Sequence, residues 1–279
     1  MVRLSASEAL SLYDLSLHEL GQRAHQIKLE RHGHKVTYIK TYYCNFTNIC
    51  KYACKYCGFR RNKNDPDAYT LSIDAIQKKL TSAPENLTEV WFSNGLNGEL
   101  PYGYYLDLLK ATKESLPQVQ IKAFTAVEID FFARHYQKSH AQVLDDFMAA
   151  GLDRIPGGGA EIFDLGVRKK IDIKTRPEDY LKIHELCHQR GMPTSITMLF
   201  GHVETRAHRI KHMEIIRDFQ DRSEGVQAFI PLAFQDENNF LGTKKGIRGP
   251  SPIEILKTLA ISRIFLDNVD HIQSFWIDT

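Results

Sequence analysis

Cys50, Cys54 and Cys57 stand at C-x3-C-x2-C spacing, directly after the apolar and aromatic run 36–42. A cubane iron–sulfur cluster usually takes four thiolates. Three ligands packed this closely leave one iron open, and a small molecule can chelate it there. Two plainer readings compete. A structural zinc site wants four closed ligands, often as two separated C-x2-C pairs, and this chain has one such pair. His32 or His34 with Cys44, Cys54 and Cys57 would make an irregular zinc site. Inert core thiols are the other alternative, since unpaired cysteine is often buried. Cys44 as a fourth cluster ligand would need an unusual C-x5-C spacing.

Three further segments hold groups suited to ligand chemistry. Asn94-Gly95-Leu96-Asn97 follows a predicted strand, and Gly95 permits close approach of backbone to a ligand. The same Asn-Gly pair is also an ordinary turn signal. In Gly157-Gly158-Gly159-Ala160-Glu161 the glycines allow a tight turn. Glu161, at a predicted helix start, either receives ligand hydroxyls or is favoured by the helix dipole. Gly201-His202-Val203-Glu204-Thr205 follows a very apolar strand. His202 is a candidate for moving a proton near neutral pH, with Glu204 orienting it or binding a hydroxyl. The structural alternative there is a helix start capped by Thr205, with His202 satisfied by backbone. Cys187 reads as structural, and His208 and His212 as members of a solvated helix face.

These groups need a scaffold, and 279 residues with 43% apolar and 25% charged content suit one large α/β barrel-type domain. A net charge of +2 points to no nucleic acid and no membrane surface. No run of apolar residues is long enough to span a bilayer, and the first residues lack an apolar signal segment. Five cysteines, four of them between positions 44 and 57, argue against a disulfide framework and for a reducing cytoplasm. A helix is predicted over 7–31, ended by Gly33. Strands are predicted at 36–42, 89–93, 119–124, 153–155, 194–200, 226–232 and 271–277. Helices follow at 180–190, 208–220 and from Pro252, where Ser251 is the predicted N-cap. Strands alternating with helices predict parallel βαβ units whose chemistry sits at the strand C-termini. The expected organisation is an N-terminal helical segment, 1–35, before a single barrel core, 36–279. Seven strands predict either an open, partial barrel or a shortened relative of a longer enzyme.

Taken together the motifs resemble the radical S-adenosylmethionine (SAM) superfamily, in its menaquinone-pathway and deazaflavin-cofactor branch. Asn45-Phe46-Thr47-Asn48-Ile49-Cys50 resembles that branch's shared opening. Segments 122–129, 156–163, 197–205 and 227–234, with Asn238-Asn239 and 262–268, are most similar to the aminofutalosine synthases. The resemblance covers nearly the whole chain. It implies a radical SAM TIM-type (β/α) barrel carrying a [4Fe-4S] cluster on Cys50, Cys54 and Cys57, with SAM as co-substrate. It implies SAM contacts from Tyr56, Asn94, Gly95 and Glu161, substrate contacts from Asn45, Thr47 and Arg206, and catalytic roles for His202 and Glu204. The implied reaction adds the 5′-deoxyadenosyl group to 3-[(1-carboxyvinyl)oxy]benzoate, giving 6-amino-6-deoxyfutalosine, with flavodoxin or ferredoxin as electron donor. The cyclic dehypoxanthine futalosine synthases are the enzymatic alternative, and a non-catalytic or truncated cluster- or zinc-binding protein is the other. The chain departs from the pattern at Asn94 and Asn97, where relatives carry glycine and histidine, and at Phe200, where they carry tyrosine. Relatives also begin before Met1 and continue beyond Trp276.

Overall fold

Short hydroxyl side chains set most helix starts. Ser5, Ser16, Ser72, Thr125, Ser139, Thr205 and Ser251 each accept a hydrogen bond from the backbone N–H three residues on. Each satisfies a donor that the first helical turn leaves open. The computed structural model describes residues 3–171 and 174–275. In chain order the elements are α1 (Ala6–Ser11), α2 (Leu17–His32), β1 (Thr41–Tyr43), α3 (Ile73–Thr81), β2 (Glu89–Phe92), α4 (Tyr102–Ser115), β3 (Gln120–Ala123), α5 (Ala126–His135) and α6 (His140–Ala149). There follow α7 (Leu165–Ile171), α8 (Pro177–Gln189), β4 (Thr194–Phe200), α9 (Arg206–Ser223), β5 (Val226–Ala233), α10 (Phe240–Lys245), α11 (Pro252–Phe265) and β6 (His271–Ile272).

The chain divides into two compact units. One, residues 38–159 and 174–192, holds β1, β2 and β3 as a parallel sheet in that order. One face of this sheet lies under helices, and Val90, Phe92, Ile121 and Ala123 are fully buried there. Behind them Tyr105, Phe124, Phe132 and Phe147 form a ring cluster, with centroids as close as 4.5 Å. Each buried ring contributes about 1.5–3 kcal/mol. The other unit, residues 3–37, 160–171 and 193–275, holds the parallel sheet β4–β5–β6. In it α2 packs on α11 and α1 on α9.

Several predicted elements change in the structure. The predicted helix 7–31 is broken, because Leu12–Asp14 form a 3₁₀ turn and Ser16 caps a fresh helix. Gly33 does end it, at φ 58. The first strand starts at Thr41, five residues later than its apolar pattern suggests. Val36 and Tyr38 are 82% and 81% exposed, so their alternation reports no buried face. The predicted strand 153–155 reduces to a single parallel bridge, Lys122 to Arg154. Six strands are described, all in parallel pairs. The predicted strand 271–277 is paired at His271 and Ile272, and its residues 276–277 lie outside the described residues.

Candidate active site

The cysteine loop leaves β1 and is held by backbone. Cys50 N–H donates to Arg61 O (3.1 Å), Arg61 N–H to Asn48 O (2.8 Å) and Cys57 N–H to Cys54 O (3.1 Å). Arg61 ties the loop together: its Nη1 donates to the carbonyls of Gly58, Phe59 and Arg60, while its Nε is 2.7 Å from Asp67. Asn48 adds a second tie, donating to Asp67 O and accepting from Tyr69 N–H. Cys50, Cys54 and Cys57 are all half-buried, and none is in a disulfide. Cys44 and Cys187 differ, being buried, and burial pushes both thiols up, Cys187 to about 12. Tyr56, one residue before Cys57, lies beside Lys174, whose Nζ donates to its hydroxyl (2.5 Å) and sits 5.1 Å from its ring centroid.

The loop after β2 is built against the cysteine loop. Gly95 N–H donates to Thr47 O, and Lys51 N–H donates to Leu96 O. A Cβ on Gly95 would stand 2.3 Å from Ile49 O, a backbone atom that cannot swing away. Only glycine fits. Asn94 Oδ1 accepts from Phe46 N–H (2.6 Å), while its buried Nδ2 and the buried Oδ1 of Asn45 have no hydrogen-bond partner among the described residues. Thr47 is fully buried, and its hydroxyl donates to Tyr69 O and faces Thr70 Oγ1. Asn97 is likewise engaged, donating to Thr70 Oγ1 and accepting from Glu99 N–H. Gly159 has φ +102, and a Cβ there would meet Val127 at 2.3 Å.

In the second unit Glu161 adopts φ 42 and is 9% exposed. It is not a helix start: α7 begins four residues later, at Leu165. Its carbonyl accepts from Leu199 N–H, and Arg168 Nη1 donates to the flanking carbonyls of Ala160 and Ile162. Beyond β4, Glu204 is a buried hub. Its oxygens accept from the N–H groups of Gly201 (2.6 Å) and His202 (2.9 Å) and from Arg209 Nε (2.7 Å). Burial pushes the carboxyl up, but the Arg209 guanidinium and the Gly201 N–H outweigh it and hold it below the usual range.

His202 Nε2 donates to Leu199 O and its Nδ1 accepts from Val203 N–H, the neutral tautomer. Burial lowers its pKa, so its 3.2 Å approach to Glu204 is a neutral contact rather than an ion pair. Thr205 caps α9. Phe200 lies under the Arg209 guanidinium, 5.0 Å from its ring centroid. Arg206 pairs with Glu254 (2.7 Å) and stacks on Tyr13. His208 sits at the α9 start, but His212 is no solvated residue: it is buried, stacked on Phe163 at 4.2 Å.

The predicted residues thus fall into two groups. Asn45, Thr47, Cys50, Cys54, Tyr56, Cys57, Asn94 and Gly95 belong to one unit, and Glu161, His202, Glu204 and Arg206 to the other. Sequence reasoning missed Arg61, Arg168, Lys174, Arg209 and Glu254. Lys174 reaches the Tyr56 ring and Arg209 reaches Glu254 only across the fold, while Arg61 and Arg168 hold nearby backbone carbonyls, a role that a basic side chain does not announce in sequence.

A family model described as the Radical SAM superfamily matches residues 44–216, and one described as the CofH/MqnC C-terminal region matches 223–279. The chain belongs to the radical SAM superfamily. Within it, the aminodeoxyfutalosine synthase of Streptomyces coelicolor is 40% identical, over 99% of this chain and 74% of that one. The Thermus thermophilus enzyme of the same name is 38% identical, over 98% and 75%. Cyclic dehypoxanthine futalosine synthase of S. coelicolor is also 38% identical, over 99% and 70%. Among solved structures, methylornithine synthase superposes with a TM-score of 0.75 at 16% identity, covering 96% of this chain and 74% of that one. Together with the family match, that likeness supports the radical SAM α/β barrel fold.

A radical SAM enzyme binds a [4Fe-4S] cluster and SAM, and the residues present suit both. Among the described residues no three His, Cys, Asp or Glu side chains converge on one metal ion. A cubane asks for something else: one thiolate per iron, from separate positions on a pinned loop. The backbone cradle at Gly95 and the orphaned amide atoms of Asn94 and Asn45 are what a polar ligand beside that loop would satisfy. A separate cavity of about 920 Å³, lined by Arg31, His32, Arg263 and His271, contains none of these groups.

Proposed function

We propose that the chain is an aminodeoxyfutalosine synthase, transferring the 5′-deoxyadenosyl group of SAM to 3-[(1-carboxyvinyl)oxy]benzoate in menaquinone biosynthesis. The observation that carries this is 40% identity to an enzyme of that name over 99% of the chain, with three half-buried thiols on a braced loop. A [4Fe-4S] cluster on Cys50, Cys54 and Cys57 would supply the electron that cleaves SAM. The chain's own part is to bind and orient. Gly95 lets the β2 loop close against the cysteine loop, Asn94 and Asn45 offer a donor and an acceptor for SAM and substrate, and Tyr56 is held by Lys174 for the adenine. In the second unit Glu161 is proposed for the ribose hydroxyls. Glu204 holds the β4 loop by three hydrogen bonds, presenting His202 as a neutral ring. Arg206 and Thr47 remain proposed substrate contacts, each reached only if its present partner yields.

The setting proposed is a reducing cytoplasm, with a flavodoxin or ferredoxin as electron donor and 36–279 acting as one functional domain behind 1–35. No helix among the described residues is long and apolar enough to cross a membrane. The test is anaerobic reconstitution, reduction with SAM and the enolpyruvyl benzoate, and mass spectrometry. A product containing both adenosyl and aryl groups is expected. The 38% identity to cyclic dehypoxanthine futalosine synthase supports a second reading. 5′-Deoxyadenosine alone, together with cyclisation of dehypoxanthine futalosine, would select it.

A further inference from the structure

The β1–β3 sheet has two unlike faces. One is closed by helices through Val90, Phe92, Ile121 and Ala123. By strand alternation the other carries Thr41 and Tyr43, Glu89 and Trp91, Gln120 and Lys122. The parallel register places Tyr43 beside Trp91 and Trp91 beside Lys122, and a bridge adds Arg154 beside Lys122. Two rings and two cations therefore stand in one row across four chain segments.

The row is built rather than incidental. The Tyr43 and Trp91 rings lie 5.1 Å apart and tilted by 38°, and Lys122 Nζ sits 4.6 Å from the Trp91 centroid. Two residues nearer the strand starts, Glu89 accepts from Thr41 Oγ1 (2.8 Å) and from Lys122 Nζ (3.4 Å), and Gln120 Oε1 accepts from Arg154 Nε (3.1 Å). Both cations are thus aimed by partners on the same face. Side chains of Lys122 and Glu89 are only 8% and 4% exposed. Burying such a pair costs desolvation that an apolar pair would avoid, so packing alone does not account for it. Tyr43, Trp91 and Arg154 keep part of their surface open.

We propose that this row is the subsite for the aromatic acid substrate, with Tyr43 and Trp91 receiving its ring and Arg154, backed by Lys122, receiving its ring carboxylate. The proposal rests on the aminodeoxyfutalosine synthase reading. A planar ring finds offset or edge contact on an aromatic pair, and a guanidinium matches a carboxylate through two parallel hydrogen bonds.

The experiment is equilibrium dialysis of benzene-1,3-dicarboxylate, a non-reactive probe, against the reconstituted, SAM-loaded protein, with KM and kcat measured alongside. Arg154→Gln is expected to weaken the probe roughly tenfold or more, and to raise the aryl substrate's KM more than it lowers kcat. Arg154→Lys should recover part of the loss. Trp91→Leu should erase the preference for the aromatic probe over its cyclohexane counterpart. Iron content and SAM affinity of each variant show that the fold and the cluster loop persist. Wild-type probe affinity in both Arg154→Gln and Trp91→Leu overturns the subsite while adduct formation by the unaltered protein keeps the functional reading. Absence of both probe binding and adduct in the unaltered protein overturns the functional reading, and the subsite with it.

Discussion

Chemistry in this chain is sorted by the surroundings of like residues. Five cysteines are present, yet burial keeps Cys44 and Cys187 as thiols, while Cys50, Cys54 and Cys57 sit half-buried on a braced loop. Cys54→Ala is therefore expected to abolish cluster assembly, judged by iron and sulfide content, and Cys187→Ala to leave it intact. Equal loss in both would contradict the assignment. His212 offers a second residue-scale test. Its Nδ1 accepts from Phe163 N–H and its Nε2 donates to Thr197 O, so it is fixed as the neutral ring. Burial lowers its pKa from 6.5 to about 3. The unfolded chain takes up this proton as pH falls through 6.5, and the folded chain does not until about 3. Its contribution is present above 6.5 and lost on acidification towards 3. His212→Gln, which keeps a donor and an acceptor, should flatten the fall in urea midpoint between about pH 7 and pH 5. A slope parallel to the parent's would clear His212 of the effect.

Among the elements, loops carry the site and strands and helices aim it. The β1 and β2 loops are joined by Gly95 N–H to Thr47 O and Lys51 N–H to Leu96 O, a contact that leaves no room for a Cβ. Gly95→Ala should cost about 1–3 kcal/mol through overpacking. It should also lower SAM affinity more than it lowers the thermal midpoint of the sheet. Loss of stability with unchanged SAM affinity would mean that the contact serves only folding. Helix α9 shows the complementary role: Arg209 on its first turn holds Glu204 and Glu254 together at 2.7 Å each. Arg209→Met would leave Glu204 as a buried carboxylate without its cation, at about 3–5 kcal/mol. Urea unfolding checks that figure, and a near-neutral result would show that the β4 loop reorganises.

For the whole molecule, the division into two units makes cluster removal a local event. The cysteine loop belongs wholly to the unit 38–159 with 174–192 and draws its braces, Arg61, Asp67 and Gly95, from that same unit. Chelation of the iron should raise amide hydrogen exchange over about residues 44–70 and leave β4 and β5 protected. Uniform loss of protection would show instead that the cluster supports the whole fold.

What was legible in the chain and what was not divides along contact range. Local patterns reached the C-x3-C-x2-C loop, the Ser251 cap, the Gly33 stop, the βαβ order and the helix start capped by Thr205, because each depends on residues a few positions apart. They failed at the strand 36–42, whose alternation matches no buried face, at Glu161, which takes a left-handed turn instead of a helix start, and at His212, buried under Phe163. Spacing by itself determined that three thiols share one loop and that a chelating cluster chemistry is available to them. Only tertiary structure decided that Gly95 must be glycine, that Glu204 is a hub of three donors, and that Tyr43, Trp91, Lys122 and Arg154 form a row. The physical reason is that steric exclusion, desolvation and strand register arise between segments that the chain brings together only on folding.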